Sequence, residues 1–265
     1  MGDRGLVRNL VSVVAATLLT GCGVQPAKVT ATVPEPATAA AAQADDVEAD
    51  IRILFVGNSH TTGHDLPNLV CKMIQFQQPE KAVRSRVVSV AFLEDAARNP
   101  ELKHEIASRR WNVVVLQAQK ISMSGRFDYS RKEGIDIAKQ AKDTGAAVYF
   151  FSEWARRGVE DEGRRTEKIY QAMAEAAGGF VVPIGAAWDL AFDEQPDLTL
   201  HEADGNHESA LGTFLTACVL TGQLTGENPE GLAAFPYLSF NERDRAFLAQ
   251  VAARTLAVRR GRNGQ

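Results

Sequence analysis

Five short runs of β-branched and apolar residues alternate with stretches of helical periodicity, and this alternation limits the chain more than any other feature. Ile51 to Val56 reads Ile-Arg-Ile-Leu-Phe-Val, and Ser85 to Phe92, Val113 to Leu116, Ala146 to Phe151 and Phe180 to Pro183 follow it. Helical patterns lie at Leu66 to Gln77, Pro100 to Arg109, Tyr129 to Thr144, Glu162 to Ala177, Ser209 to Leu224 and Glu242 to Arg259. Strands that are apolar almost throughout are buried on both faces, which a parallel sheet covered by helices provides. The expected fold is α/β, a three-layer sandwich around a parallel five-stranded sheet. Ligands in such sheets bind beyond the carboxyl ends of the strands. The residues just after each strand are therefore the candidates for chemistry.

The first fifty residues stand apart from this pattern. Arg4 and Arg8 precede an apolar core, Leu10 to Leu19, which is far shorter than the ~20 residues that span a bilayer. The segment Met1 to Gly21 reads as a secretory signal. Its end, Leu19-Thr20-Gly21-Cys22, resembles the lipobox of bacterial lipoproteins. That resemblance implies lipidation of Cys22 and a stable membrane anchor, because two or more acyl chains hold where one does not. By the same resemblance, Gly23 after the cysteine points to the outer membrane. Gly23 to Asp50 is rich in Ala, Thr and Pro and lacks an apolar period, so it reads as a tether. The domain is then placed at residues 51–265, with its folded part from Ile51 to about Val258.

A hydrophobic share of 45% supplies one substantial core, while a net charge of -4 and 7% aromatic residues give no polyanion surface or stacking platform. Nucleic acid is not an expected partner. The cysteines Cys22, Cys71 and Cys218 are too few for a disulfide framework or a four-cysteine zinc site, and Cys71 and Cys218 read as core thiols, with a disulfide between them in an oxidising compartment as the alternative.

Two strand-end segments carry chemistry. After the first strand comes Gly57-Asn58-Ser59-His60-Thr61, a serine on a tight turn at the N-terminus of a helix. Free N–H groups there favour a developing negative charge. Far downstream, Asp204-Gly205-Asn206-His207 precedes another helix. A carboxylate three residues before a histidine can hold one ring nitrogen as N–H and leave the other to take a proton. Together, "ILFVGNSHT" and "DGNHESALGTFLTA" resemble the nucleophile and terminal blocks of SGNH (GDSL-like) serine hydrolases, over about Ile51 to Gly226. The resemblance implies a flavodoxin-like sandwich, with Ser59 as nucleophile, His207 as general base and Asp204 as its orienting partner.

The sequence departs from the family at two places. The second strand ends Ser89-Val90-Ala91-Phe92-Leu93 without the usual glycine, and the third is followed by Gln117-Ala118-Gln119 without the usual asparagine. The "VLQ" here resembles a less studied branch of the family. The expected oxyanion donors are accordingly the Ser59 N–H, a backbone N–H at Ala91 or Phe92, and the Gln117 amide, with Gln119 as competitor. Trp154 and Arg156, after the fourth strand, and His60 are the expected substrate-binding residues, Trp154 as a stacking surface for a sugar ring and Arg156 as the partner of an anionic group; the alternative is that Trp154 closes the core edge and the arginines are solvated. His60 and His64 at i, i+4 spacing with Asp204 nearby permit a metal reading, but the serine arrangement already uses Asp204 and His207, so no metal and no cofactor are expected. The expected activity is hydrolysis of a small acyl ester, such as an acetyl group on a polysaccharide, at the bacterial envelope. The alternative is a non-catalytic envelope-binding lipoprotein that retains the fold.

Overall fold

The computed structural model describes residues 48–236 and 241–263. The signal segment, Cys22 and the tether up to residue 47 lie outside the described residues. Five parallel strands form one sheet: β1 (Ile51–Gly57), β2 (Val83–Ser89), β3 (Val113–Leu116), β4 (Ala147–Phe151) and β5 (Phe180–Val182). Their spatial order is β2-β1-β3-β4-β5. Every neighbouring pair is parallel, and Phe55 of β1 lies between Val87 and Val115. This is the expected architecture.

Nine helices cover the sheet or follow its strands among the described residues: α1 (Ser59–Thr62), α2 (Leu66–Gln77), α3 (Leu93–Ala96), α4 (Pro100–Ala107), α5 (Lys132–Asp143), α6 (Glu162–Ala177), α7 (Ile184–Glu194), α8 (Ala210–Thr225) and α9 (Glu242–Asn263). The two-residue period of the strands divides the core. Ile53, Phe55, Val115, Phe151 and Val182 pack under α2, α7, α8 and α9. Leu54, Val56, Val114, Leu116 and Phe150 pack under α3 to α6. Both layers are apolar, which fits strands whose residues are mostly apolar, the edge strand β2 with Arg84 and Arg86 being the exception.

Three boundaries differ from expectation. Ala49 and Asp50, read as tether, already belong to the fold: Ala49 is buried and Asp50 accepts a hydrogen bond from the Ala82 N–H. The strand expected at Ser85 to Phe92 begins at Val83 and ends at Ser89: the Val90 N–H makes the last bond to β1, at Gly57 O, and the Ala91 carbonyl is then taken by the Asn58 side chain. The helix α7 was not anticipated. Pro183 and Gly185 at its start resemble breakers, yet proline is tolerated before the first helical turn. Gly185 is there for close approach, since a Cβ would lie 2.6 Å from the Glu153 carbonyl oxygen. Cys71 and Cys218 are free thiols in the layer under α2 and α8, and burial raises both pKa values.

Candidate active site

The turn after β1 is built around Gly57. A Cβ there would meet Thr61 Oγ1 at 2.1 Å and Gln117 Oε1 at 2.4 Å, so only glycine lets the turn close. Asn58 caps α1, its Oδ1 accepting the His60 N–H at 3.1 Å. Ser59 is the first residue of that helix. Its N–H has no partner among the described residues, and neither has that of Ala91. Asn58 Nδ2 donates to Ala91 O at 3.3 Å and ties the β1 turn to the β2 turn. The β2 turn needs no positive φ, so its lack of a glycine costs nothing; in the turn after β3, Ala118 is left-handed, at +76°.

Ser59, His207 and Asp204 form one chain of hydrogen bonds. The Ser59 hydroxyl donates to His207 Nε2 at 2.9 Å, and His207 Nδ1–H donates to Asp204 Oδ2 at 2.6 Å. Asp204 Oδ1 accepts the N–H groups of Asn206 and His207 at 2.9 and 3.0 Å. The bond from His207, followed by these two backbone bonds, holds the Asp204 carboxyl well below the usual carboxylate range. An ionised Asp204 fixes the tautomer that leaves Nε2 free to accept a proton.

A clasp that the sequence did not reveal holds this loop. Trp154 Nε1 donates to Asn206 O at 2.9 Å and the Arg157 N–H to Gly205 O at 2.8 Å. The Arg157 guanidinium donates to His201 O and Glu202 O, and His201 Nε2 donates to Ala155 O at 2.8 Å. The segment after β4 therefore positions the acid and base. Trp154 is correspondingly not the free sugar platform expected. It is 4% exposed and packs on Trp188, with centroids 4.3 Å apart, and on His60. Arg156 lines the cleft, but Glu162 takes its Nε and Nη2, so it is not an unpaired cation awaiting an anion. His60 meets His207 edge-on at 5.2 Å, and its Nε2 accepts from Asn206 Nδ2 at 3.2 Å. Burial, then the neighbouring His207, lowers its pKa to about 4 and keeps it neutral beside the base. His64 turns away to Glu202 and the Glu208 carbonyl.

Gln117 also departs from its expected role. It is fully buried, and its Nε2 donates to Glu153 at 2.5 Å. Its Oε1 accepts the Asn58 N–H and the Thr61 hydroxyl, both at 2.8 Å. The amide that was to face an oxyanion is thus committed inward, and the carbonyl end holds the nucleophile turn. Gln119 is no substitute, because its Nε2 closes the following loop on Lys120 O and Ser130 O. Glu153 is the unanticipated member. It gathers Gln117 and Tyr170, and burial pushes its pKa up to about 7.

Glu208 lies beside His207, buried against Gly63, and neither carboxyl oxygen has a partner among the described residues. Burial pushes its pKa from 4.5 up to about 7. Between those values the folded state binds the proton more tightly than the unfolded state. Stability therefore falls as pH rises through this window and levels off above it. Glu208→Gln should remove a slope worth at most about 3 kcal/mol across it. Urea unfolding of both proteins from about pH 5 to pH 8 measures this. An unchanged slope would show that Glu208 does not titrate there.

No family model matches the sequence, and no curated protein matches it. Solved structures do. A protein named as a candidate SGNH hydrolase, from Slackia heliotrinireducens, superposes with a TM-score of 0.53 at 23% identity, covering 66% of this chain and 98% of its own. A DUF4886 family protein from Bacteroides uniformis gives 0.56 at 15% identity, over 78% and 95%. A lipase/acylhydrolase from Enterococcus faecalis gives 0.51 at 16%, over 66% and 96%. The chain has the SGNH hydrolase fold. Within the SGNH fold, the cleft beyond the strand ends has a volume of about 510 Å³ and is bordered by Asn58, Phe92, Ile121 and Met123.

Proposed function

We propose that this protein is a serine ester hydrolase that works by acyl transfer through Ser59, His207 and Asp204. The observation that carries the reading is the unbroken hydrogen-bond chain from the Ser59 hydroxyl to the Asp204 carboxylate. Ser59 Oγ attacks the ester carbonyl as His207 Nε2 takes its proton. The unpartnered N–H groups of Ser59 and Ala91 face the developing oxyanion. With Gln117 committed inward, the remaining side-chain amide at the turn is Asn58, which lines the cleft and whose Nδ2 has a second hydrogen beyond the one it gives to Ala91 O. His207 then protonates the leaving alcohol, and a water, activated by the same imidazole, releases the acyl group. The complete triad favours this reading over that of a non-catalytic binding lipoprotein. A panel of aryl and sugar acetates tests it: hydrolysis by the wild-type protein supports it, and no turnover of any ester overturns it.

The lipobox-like Leu19-Thr20-Gly21-Cys22 supports a location at the bacterial envelope, anchored through Cys22, with a small acyl ester, such as an acetylated carbohydrate, as substrate. The mature protein should partition into detergent, and Cys22→Ala should abolish this. Equal membrane association of the variant would contradict the anchor.

A further inference from the structure

A second cavity, of about 480 Å³, shares Arg156 with the catalytic cleft. Val159, Trp188, Phe192 and Leu198 give it apolar and aromatic walls, and Asp189 and Arg157 stand among them. Asp189 is the anomaly. It is partly buried, yet no hydrogen bond or salt bridge from the described residues reaches its carboxylate. Burial, then the nearby Asp193, raises its pKa. The two arginines on the wall are engaged elsewhere, Arg156 by Glu162 and Arg157 by the carbonyls of His201 and Glu202.

We propose that this cavity binds a sugar ring of the substrate, with Asp189 accepting its hydroxyl protons and Phe192 packing on its apolar face; that the sugar belongs to an ester cleaved at Ser59 rests on the ester-hydrolase reading above. A carboxylate is acceptor-only and is costly to bury without donors, so the site calls for a ligand rich in O–H groups. The apolar walls call for a ligand with a C–H face, and a pyranose has both. Charge narrows the choice. Arg156 and Arg157 stand on the wall with two carboxylates, Glu160 and Asp189, so neither sign is in excess, which suits a neutral polyol. A pocket with apolar walls and a few convergent polar groups is the usual form of a small-molecule site.

Calorimetric titration of the Ser59→Ala full chain with xylopentaose, cellopentaose and chitopentaose tests this without turnover. At least one should bind, and Asp189→Ala and Phe192→Ala should each weaken it about tenfold. Asp189→Ala should keep or raise the melting temperature, because it removes an unpartnered carboxylate. The proposal is overturned if none of the three sugars binds, or if binding survives both substitutions. It is also overturned if tetramethylammonium binds in an Asp189-dependent way. Asp189-dependent sugar binding by a protein that hydrolyses no ester would leave the sugar site standing and remove the ester-hydrolase reading alone.

Discussion

Ser59→Ala and His207→Ala are each expected to lower kcat for ester hydrolysis by about 10⁴-fold or more, and the double variant should be little worse than either single one. The reason is the shared proton. The Ser59 hydroxyl is a weak nucleophile until His207 Nε2, 2.9 Å away, accepts its hydrogen, and the imidazole has no attacking partner once the hydroxyl is gone. Residues that act as one unit do not contribute additively. Both side chains lie at the mouth of the cleft rather than in the core, so the variants should fold with wild-type stability. Asp204→Asn should also be strongly impaired, since the amide would favour the wrong imidazole tautomer. Full activity in a folded Ser59→Ala protein would contradict the mechanism.

Gln117→Ala should destabilise the protein by about 3 to 5 kcal/mol and lower kcat as well. The stability loss separates two roles for this residue. A donor aimed at an oxyanion faces the open cleft, and removing it costs about a hundredfold in kcat with little effect on folding. Gln117 instead satisfies the Asn58 N–H, the Thr61 hydroxyl and the Glu153 carboxyl inside the fold. Its truncation takes the acceptor from the Thr61 hydroxyl and the half-buried Asn58 N–H, removes one of the donors to Glu153 and opens a void, and each effect is costly. Denaturant unfolding and single-substrate kinetics on the same variant decide the matter. A hundredfold fall in kcat with unfolding free energy within about 0.5 kcal/mol of wild type would restore the oxyanion role.

The layers of this fold were legible because the strands are mostly apolar and the helices are periodic. Val113 to Leu116, Leu66 to Gln77 and Glu162 to Ala177 have the boundaries expected from sequence. What failed were places where a distant group decides. Val90, Ala91 and Phe92 continue the apolar run of β2, but after the Val90 bond to Gly57 the Asn58 side chain takes the Ala91 carbonyl and the ladder ends. In the site, Ser59, Asp204 and His207 were readable because their chemistry requires a small set of residue types on two strand-end turns. Gln117 was placed correctly after β3, but the direction of its amide depends on Glu153, 36 residues on. Trp154 stood at the expected strand end, yet Trp188, on the helix that sequence reading missed, occupies the ring that a sugar was to use. The one signal available for the inner network was an acidic residue, Glu153, at the end of an apolar strand. Such a residue needs buried partners.

The most direct test of the central claim is covalent labelling by a fluorophosphonate probe, followed by mass spectrometry of the digested protein. An activated serine attacks phosphorus as it would attack an ester carbonyl. The account predicts one equivalent of phosphonyl adduct on the peptide containing Ser59, and none in Ser59→Ala or His207→Ala. A folded wild-type protein that takes up no probe, or takes it up equally in the Ser59→Ala variant, would contradict it.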